Sequence, residues 1–302
     1  MSYSTENLVI LGLGLIGGSL AKALRASGFS QRFIGYGHRA ASLQRGLDLG
    51  VIDEFTLDLD EAIERADILV ICTPTLTATA MLERILPRLG SPGTGPIVTD
   101  VASVKGTLRD AAVAAVGSMP PQFILGHPIA GSERSGVEAA EADLFVNHRV
   151  VLTPVEGNDH AAVELVRAMW ASTGADVVDM SVERHDAVLA ATSHLPHVLA
   201  YTLVDALAAS DASDDIFRCA AGGFRDFTRI ASSDPVMWRD IAIANKTALL
   251  SAIDLFSEHL HTMRSAVEGE NADELLRTFN RAKSARDEFA ALLAARNEPK
   301  TS

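Results

Sequence analysis

Close to its N-terminus the chain reads Leu8-Val-Ile-Leu-Gly12-Leu-Gly14-Leu-Ile-Gly17-Gly-Ser-Leu-Ala-Lys-Ala-Leu24. Few patterns restrict a fold so sharply. The apolar run Leu8 to Leu11 suits a strand buried on both faces, and apolar residues recur at helical spacing after Gly14. A strand that passes through spaced glycines into a helix makes a dinucleotide-binding turn. Gly12 makes the tight bend, Gly14 lets the backbone approach a pyrophosphate, and Gly17 lets helix pack on strand. Leu15 and Ile16 open the helix, whose unpaired N–H groups and positive dipole end face the phosphates. The three glycines alone are a weak signal; the strand before and the helix after them make it a strong one.

The pattern continues for half the chain. Apolar runs at Leu8–Leu11, Arg32–Tyr36, Asp67–Cys72, Ile97–Asp100, Gln122–Leu125 and Arg149–Leu152 alternate with amphipathic segments at Ile16–Ser27, Ala40–Leu49, Leu76–Leu89 and Val104–Val116. That alternation predicts a mostly parallel, Rossmann-type α/β sheet with helices on both faces. Ligands of such sheets lie beyond the carboxyl ends of strands, here Thr73-Pro74, Asp100 and Gly126-His127-Pro128. One more helix (Ala161–Ser172) and a short strand (Asp176–Asp179) follow, and then helices almost to the end. Val182–Ser210 reads as one long helix kinked at Pro196. Asp234-Pro235 caps another that could run to about His259, and a last helix covers Asn271 to about Arg296. The expected division is residues 1–180 for the dinucleotide and 181–302 for an all-helical substrate and dimerisation domain.

The second strand ends in Gly37-His38-Arg39 with Ser42 behind, about twenty positions beyond Gly17, where strict NAD users keep an acid. Arg39 can pair with a 2′-phosphate and Ser42 can donate to it, which favours NADP or dual use of NAD(P). The plainer alternative is that Arg39 stacks on adenine or starts a solvated helix.

With 302 residues the chain is long enough for two domains, and its net charge of −13 shows no basic cluster for nucleic acid. Its two cysteines, Cys72 and Cys219, are far apart, so neither a disulfide nor a metal site is expected, and a reducing compartment is the default. The polar Met1–Asn7 leaves no room for a signal peptide and no stretch is read as a membrane span, so a cytoplasmic protein without a membrane partner is expected.

Three further segments carry chemistry: Asp100-Val-Ala-Ser103-Val-Lys105-Gly106; Gly126-His127-Pro128-Ile-Ala130-Gly131-Ser132-Glu133-Arg134; and Ser193-His194-Leu-Pro196-His197, with Arg225, Phe227-Thr-Arg229-Ile-Ala and Trp238 downstream. Histidine at a strand's carboxyl end suits a general base, because its pKa lies near neutrality. Ser103 can orient a substrate oxygen, or simply cap the next helix. His194 and His197 share one helix face, yet no third ligand lies at a useful spacing for metal.

Together these segments resemble the prephenate/arogenate (cyclohexadienyl) dehydrogenase family of tyrosine biosynthesis, over nearly the whole chain. The resemblance implies a nicotinamide cofactor bound by the first domain, with Thr73 at its edge, and a homodimer formed through the second. It implies a cyclohexadienyl carboxylate substrate that loses hydride and carbon dioxide. His127 would take the proton from the ring hydroxyl, with Ser103 orienting both and His197 bonding the substrate. Arg229 would meet the ring carboxylate, supported by Trp238 nine positions on. Arg225 is a candidate for the substrate's side-chain end, in one option from across the dimer interface. Glu133 is a candidate gate or arginine partner, or else a helix N-terminal carboxylate; a surface ion pair is the plain alternative for either arginine. The resemblance also leads us to expect no fused mutase before the first strand and no regulatory domain after the last helix. The rivals are a β-hydroxyacid dehydrogenase or imine reductase of the same architecture, and a non-catalytic nucleotide-sensing regulator.

Overall fold

The computed structural model describes residues 4–90, 95–131 and 134–297. The chain separates into two compact units, residues 1–249 and 250–302. Nine strands and thirteen α-helices are found among the described residues. In the first unit a six-stranded parallel sheet has the order β3-β2-β1-β4-β5-β6, with β1 Thr5–Leu11, β2 Ser30–Tyr36, β3 Glu54–Thr56, β4 Ile68–Ile71, β5 Ile97–Asp100 and β6 Phe123–Ile124. Strand alternation divides the core in two. Leu8, Ile10, Ile68 and Val70 pack on one face with Leu20, Leu24 and Trp170, from helices α1 (Leu15–Ser27) and α6 (His160–Ser172). Val9, Leu11, Leu69 and Ile71 pack on the other with Ile63, Leu82 and Leu108, from α3 (Leu59–Glu64), α4 (Thr75–Ile85) and α5 (Gly106–Val116). Apolar side chains on both sides of a central strand are what doubly covered parallel sheets require. Helix α2 (Ala40–Asp48) follows β2.

The two sheets differ from the sequence expectation in two places. The short β3 and α3 carry too few apolar residues to show as a run, and Asp58 caps α3 through the N–H groups of Asp60 and Glu61. The Gly-His-Pro segment, read as a turn, is itself a strand. It forms β7 (Gly126–Pro128), antiparallel to β8 (Arg149–Leu152), which pairs in parallel with β9 (Asp176–Asp179) in a second sheet of order β7-β8-β9.

Beyond β9, α7 (Val182–Leu189) runs through a π-helical turn at Ala190–His194 into α8 (Leu195–Ala208). Pro196 therefore follows a widened turn that accommodates its missing N–H instead of ending the helix. Because helix continues across it, Val182–Ala208 is long and apolar enough by length and composition to cross a membrane, which corrects the expectation that no stretch would be. Its His185 and His194 are buried within the protein. Helices α9 (Ser213–Cys219) and α10 (Gly222–Thr228) follow, then α11 (Pro235–Ala244), capped by Asp234 through the N–H of Met237. That helix stops at Asn245, well short of His259, and α12 (Lys246–Glu268) and α13 (Ala272–Asn297) complete the chain.

A charged contact with no solvent access joins the two sheets. Lys105 meets Asp100 at the end of β5 and donates to the Gly126 carbonyl of β7 at 2.5 Å. Asp100 also accepts the N–H groups of Ala102 (2.9 Å) and Gly126 (3.2 Å). Burial pushes Asp100 up and Lys105 down, and the contact each gives the other opposes this. Removing one partner strands a charge in the interior. Lys105→Met is expected to lose roughly 3–5 kcal/mol, measured by urea unfolding at fixed protein concentration.

Candidate active site

The glycine turn has three distinct local demands. Gly12 sits at φ +96°, and a Cβ there would lie 2.8 Å from both the Cys72 carbonyl oxygen and Thr73 Cγ2. A Cβ on Gly17 would come to 2.6 Å from the Gly12 oxygen and 2.8 Å from Ile10 Cγ2. Gly14 differs, because nothing lies within 4 Å of its added Cβ. It is the N-cap of α1 and supplies no side-chain cap, and the first turn carries no acid. The N–H groups of Leu15, Ile16 and Gly17 are thus left to an anion. An open backbone cradle at Gly14, with Thr73 against Gly12, fits a dinucleotide's pyrophosphate. At the end of β2, His38 and Arg39 are exposed and Ser42 is half-buried, and no acid occurs from Tyr36 to Leu47.

Beyond this cradle lies a cluster of buried polar groups. His127, on β7 opposite Val151, is 8% exposed. Its Nδ1 lies 2.9 Å from His185 Nε2, and His185 Nδ1 lies 2.8 Å from Asp186 Oδ1. Asp186 in turn accepts the backbone N–H of Lys105 at 2.9 Å and of Gly106 at 2.8 Å, the first donors of α5. Burial first, then the electrostatic effect of neighbouring His185, Lys105 and His194, holds the His127 imidazole well below the usual histidine range. Burial also lowers His185, although its hydrogen bond to Asp186 opposes this. For Asp186, burial works upward, but hydrogen bonds from His185, Lys105 and Gly106 outweigh it and keep the carboxyl below its ordinary value. Ser103 lies in the bend between β5 and α5 and does not cap the helix. Asp186 takes the N–H groups that a cap would.

The helical side contributes a second group. Trp238 stacks on His197 with ring centroids 3.5 Å apart and 18° between planes, and meets His194 edge-on at 6.2 Å. Both histidines therefore face the same indole, as their spacing predicts. His197 Nδ1 lies 2.8 Å from the Ser193 carbonyl, so in the neutral ring Nδ1 donates and Nε2 is the acceptor. His194 makes a tertiary contact rather than a local one: Asn245 Nδ2 lies 3.0 Å from its Nδ1 and also donates to the Asp186 carbonyl at 2.9 Å. Burial pushes His194 down to about 4. Two buried nitrogens here, His194 Nε2 and Trp238 Nε1, lack a hydrogen-bond partner among the described residues.

Arg229 is exposed at the start of a 3₁₀ turn that leads to α11. Arg225 is exposed and pairs with neighbouring Asp226 at 3.3 Å. Glu133 lies outside the described residues. Among those residues, no group of three or more His, Cys, Asp or Glu is placed to hold a metal ion. Sequence reasoning passed over His185, Asp186 and Asn245. No spacing rule links His127 to a partner 58 positions away. Asn245 left a usable signal, a polar residue interrupting an apolar helical pattern.

Residues 20–179 match the family model described as prephenate dehydrogenase, nucleotide-binding domain, and residues 181–281 the one described as prephenate dehydrogenase, dimerization domain. The chain is 39% identical over 293 residues to a prephenate dehydrogenase of Bacillus subtilis (strain 168), covering 95% of this chain and 77% of that one. Among solved structures it resembles prephenate dehydrogenase from A. aeolicus in complex with hydroxyphenyl propionate and NAD+, with TM-score 0.87, 37% identity and coverage of 96% and 100%. It also resembles Synechocystis arogenate dehydrogenase, with TM-score 0.78, 32% identity and coverage of 94% and 99%.

The glycine turn separates binding from folding in a pair of variants. Gly14→Ala is expected to keep its thermal midpoint within about 2 °C and to weaken cofactor binding roughly tenfold or more, read by fluorescence titration. Gly17→Ala is expected to lose about 1–3 kcal/mol of stability, because its methyl group meets backbone and Ile10.

Proposed function

The chain belongs to the prephenate dehydrogenase family, and we propose that it catalyses oxidative decarboxylation of prephenate, arogenate or both. The products would be 4-hydroxyphenylpyruvate and tyrosine. The observation that carries this reading is His127, a buried histidine held neutral on the strand tied to the end of β5. A bound nicotinamide supplies the hydride acceptor. The residues proposed to hold the dinucleotide are Gly12, Gly14, Leu15, Ile16, Gly17 and Thr73 around its phosphates, with His38, Arg39 and Ser42 at the adenosine end. The basic, acid-free end of β2 supports NADP as well as NAD.

In the proposed mechanism neutral His127 takes the proton from the ring hydroxyl as the carbon beneath it is oxidised. Ser103 orients that hydroxyl and His127. His197, steadied by Trp238, presents its Nε2 to the substrate. Arg229 meets the ring carboxylate with its bidentate fork, and Arg225 serves the side-chain end. An arginine stabilises the charged ground state, so it cannot by itself promote carbon dioxide loss; aromatisation drives that step. The protein's work is then positioning and proton removal.

We place the functional boundary at 180/181, with a homodimer formed through residues 181–302. The match to a dimerization domain supports this, as do the exposed side chains of Leu255, Leu260, Phe279, Phe289 and Leu292, an apolar surface that a partner subunit would cover. A cytoplasmic location is proposed from the biosynthetic character of the family. The net charge of −13 offers no footprint for nucleic acid.

His127→Asn is expected to lower kcat about 100- to 10,000-fold while leaving cofactor affinity unchanged; unaltered turnover on both prephenate and arogenate would sink the mechanism. Because the base works unprotonated and its pKa lies below the ordinary value, kcat/KM should hold above roughly pH 6.5. It should fall only as pH drops through the lower, folded-state pKa, which a pH series of initial rates would read. Rates on prephenate and arogenate, each with NAD and NADP, fix both preferences. Arg39→Ala should raise KM for NADP about tenfold and leave that for NAD alone.

A further inference from the structure

We propose that His185 and Asp186 are positioning residues that fix the tautomer of His127, so that Nε2 is the nitrogen that accepts the substrate's proton. The proposal rests on His127 being the base and adds how the protein prepares it. Its ground is the continuous line of hydrogen bonds from the start of α5 to β7.

The direction of every proton in that line follows from the donors available. The Asp186 carboxylate is fixed by the N–H groups of Lys105 and Gly106. An ionised carboxylate only accepts, so the proton on the 2.8 Å contact with His185 Nδ1 belongs to the ring. His185 is neutral in its buried position and carries one N–H, which leaves Nε2 as a lone pair. That lone pair faces His127 Nδ1 at 2.9 Å, so Nδ1 must be the protonated nitrogen of His127. A neutral imidazole has no second proton, and His127 Nε2 is therefore bare. The wrong tautomer would present an N–H to the hydroxyl and could not act as a base, as in triads whose orienting acid is lost.

The same line responds to catalysis. Once His127 gains a proton at Nε2, its Nδ1–H bond to His185 becomes charge-assisted, and the Asp186 charge lies one ring beyond. Burial, His185, Lys105 and His194 all oppose the His127 cation, whereas Asp186 and Asp100 favour charge on His185, the ring between. His185 thus relays orientation from the backbone of one element to a side chain on another without touching substrate.

Two variants at one position test this. In His185→Gln an amide oxygen can stand near the place of Nε2 and accept from His127 Nδ1; His185→Leu fills similar space with no acceptor. The expected result is about a hundredfold loss of kcat for His185→Leu and recovery to within about tenfold of wild type for His185→Gln, with cofactor affinity and substrate KM unchanged. Wild-type kcat in His185→Leu overturns the proposal. So does an equal loss in both variants that tracks their thermal midpoints, which is what a merely structural role produces. If His185→Leu does not fold, ring-¹⁵N spectra of the wild-type protein decide: a protonated Nδ1 with bare Nε2 on His127 supports the proposal, and the opposite tautomer refutes it. Failure of the base reading is distinguishable, because it appears as retained turnover in His127→Asn whatever the tautomer.

Discussion

Lys105 and Asp100 meet without solvent where the six-stranded sheet gives way to the three-stranded one, and the edge that carries His127 is built outward from them. An ion pair in that position is stable only with every hydrogen bond made, which the Gly126 carbonyl and the N–H groups of Ala102 and Gly126 provide. The pair thereby binds β7 to the end of β5. His127 is the next residue on β7, so its place is set by charge buried one residue away.

The helical side is tied to the same edge by polar contacts beside the apolar packing of Val182 on α5. Asp186 serves α5 as a cap and His185 as an acceptor, and Asn245 closes α11 while holding both the Asp186 carbonyl and His194. The π-helical turn before Pro196 lets one helix carry His185, His194 and His197 through this region without a break. Long-range polar contacts of this kind specify a single arrangement, because each leaves a buried group unsatisfied if it slips.

Much of this was legible in the chain. The glycine turn, the apolar strands of the parallel sheet, the Asp234 cap and the shared face of His194 and His197 all follow from local rules of period and capping. Where reading failed, the reason was equally physical. The short β3 has too few residues to show a period, β7 hides among turn-forming residues, and the Asn245 side chain where α11 stops meets a histidine fifty-one positions away. Ser103 was ambiguous between cap and site until Asp186 proved to be the group that holds the N-terminus of α5.

By itself, then, the sequence determined the dinucleotide turn, the two-sided sheet and the chemical types set around the site, since these depend on spacing along one strand or helix. It named His127 but not what prepares it. Only the tertiary structure joined His127 to His185 and Asp186, because a hydrogen bond between residues 58 positions apart has no period for a sequence to carry. Which nitrogen of His127 bears its proton is accordingly a property of the fold.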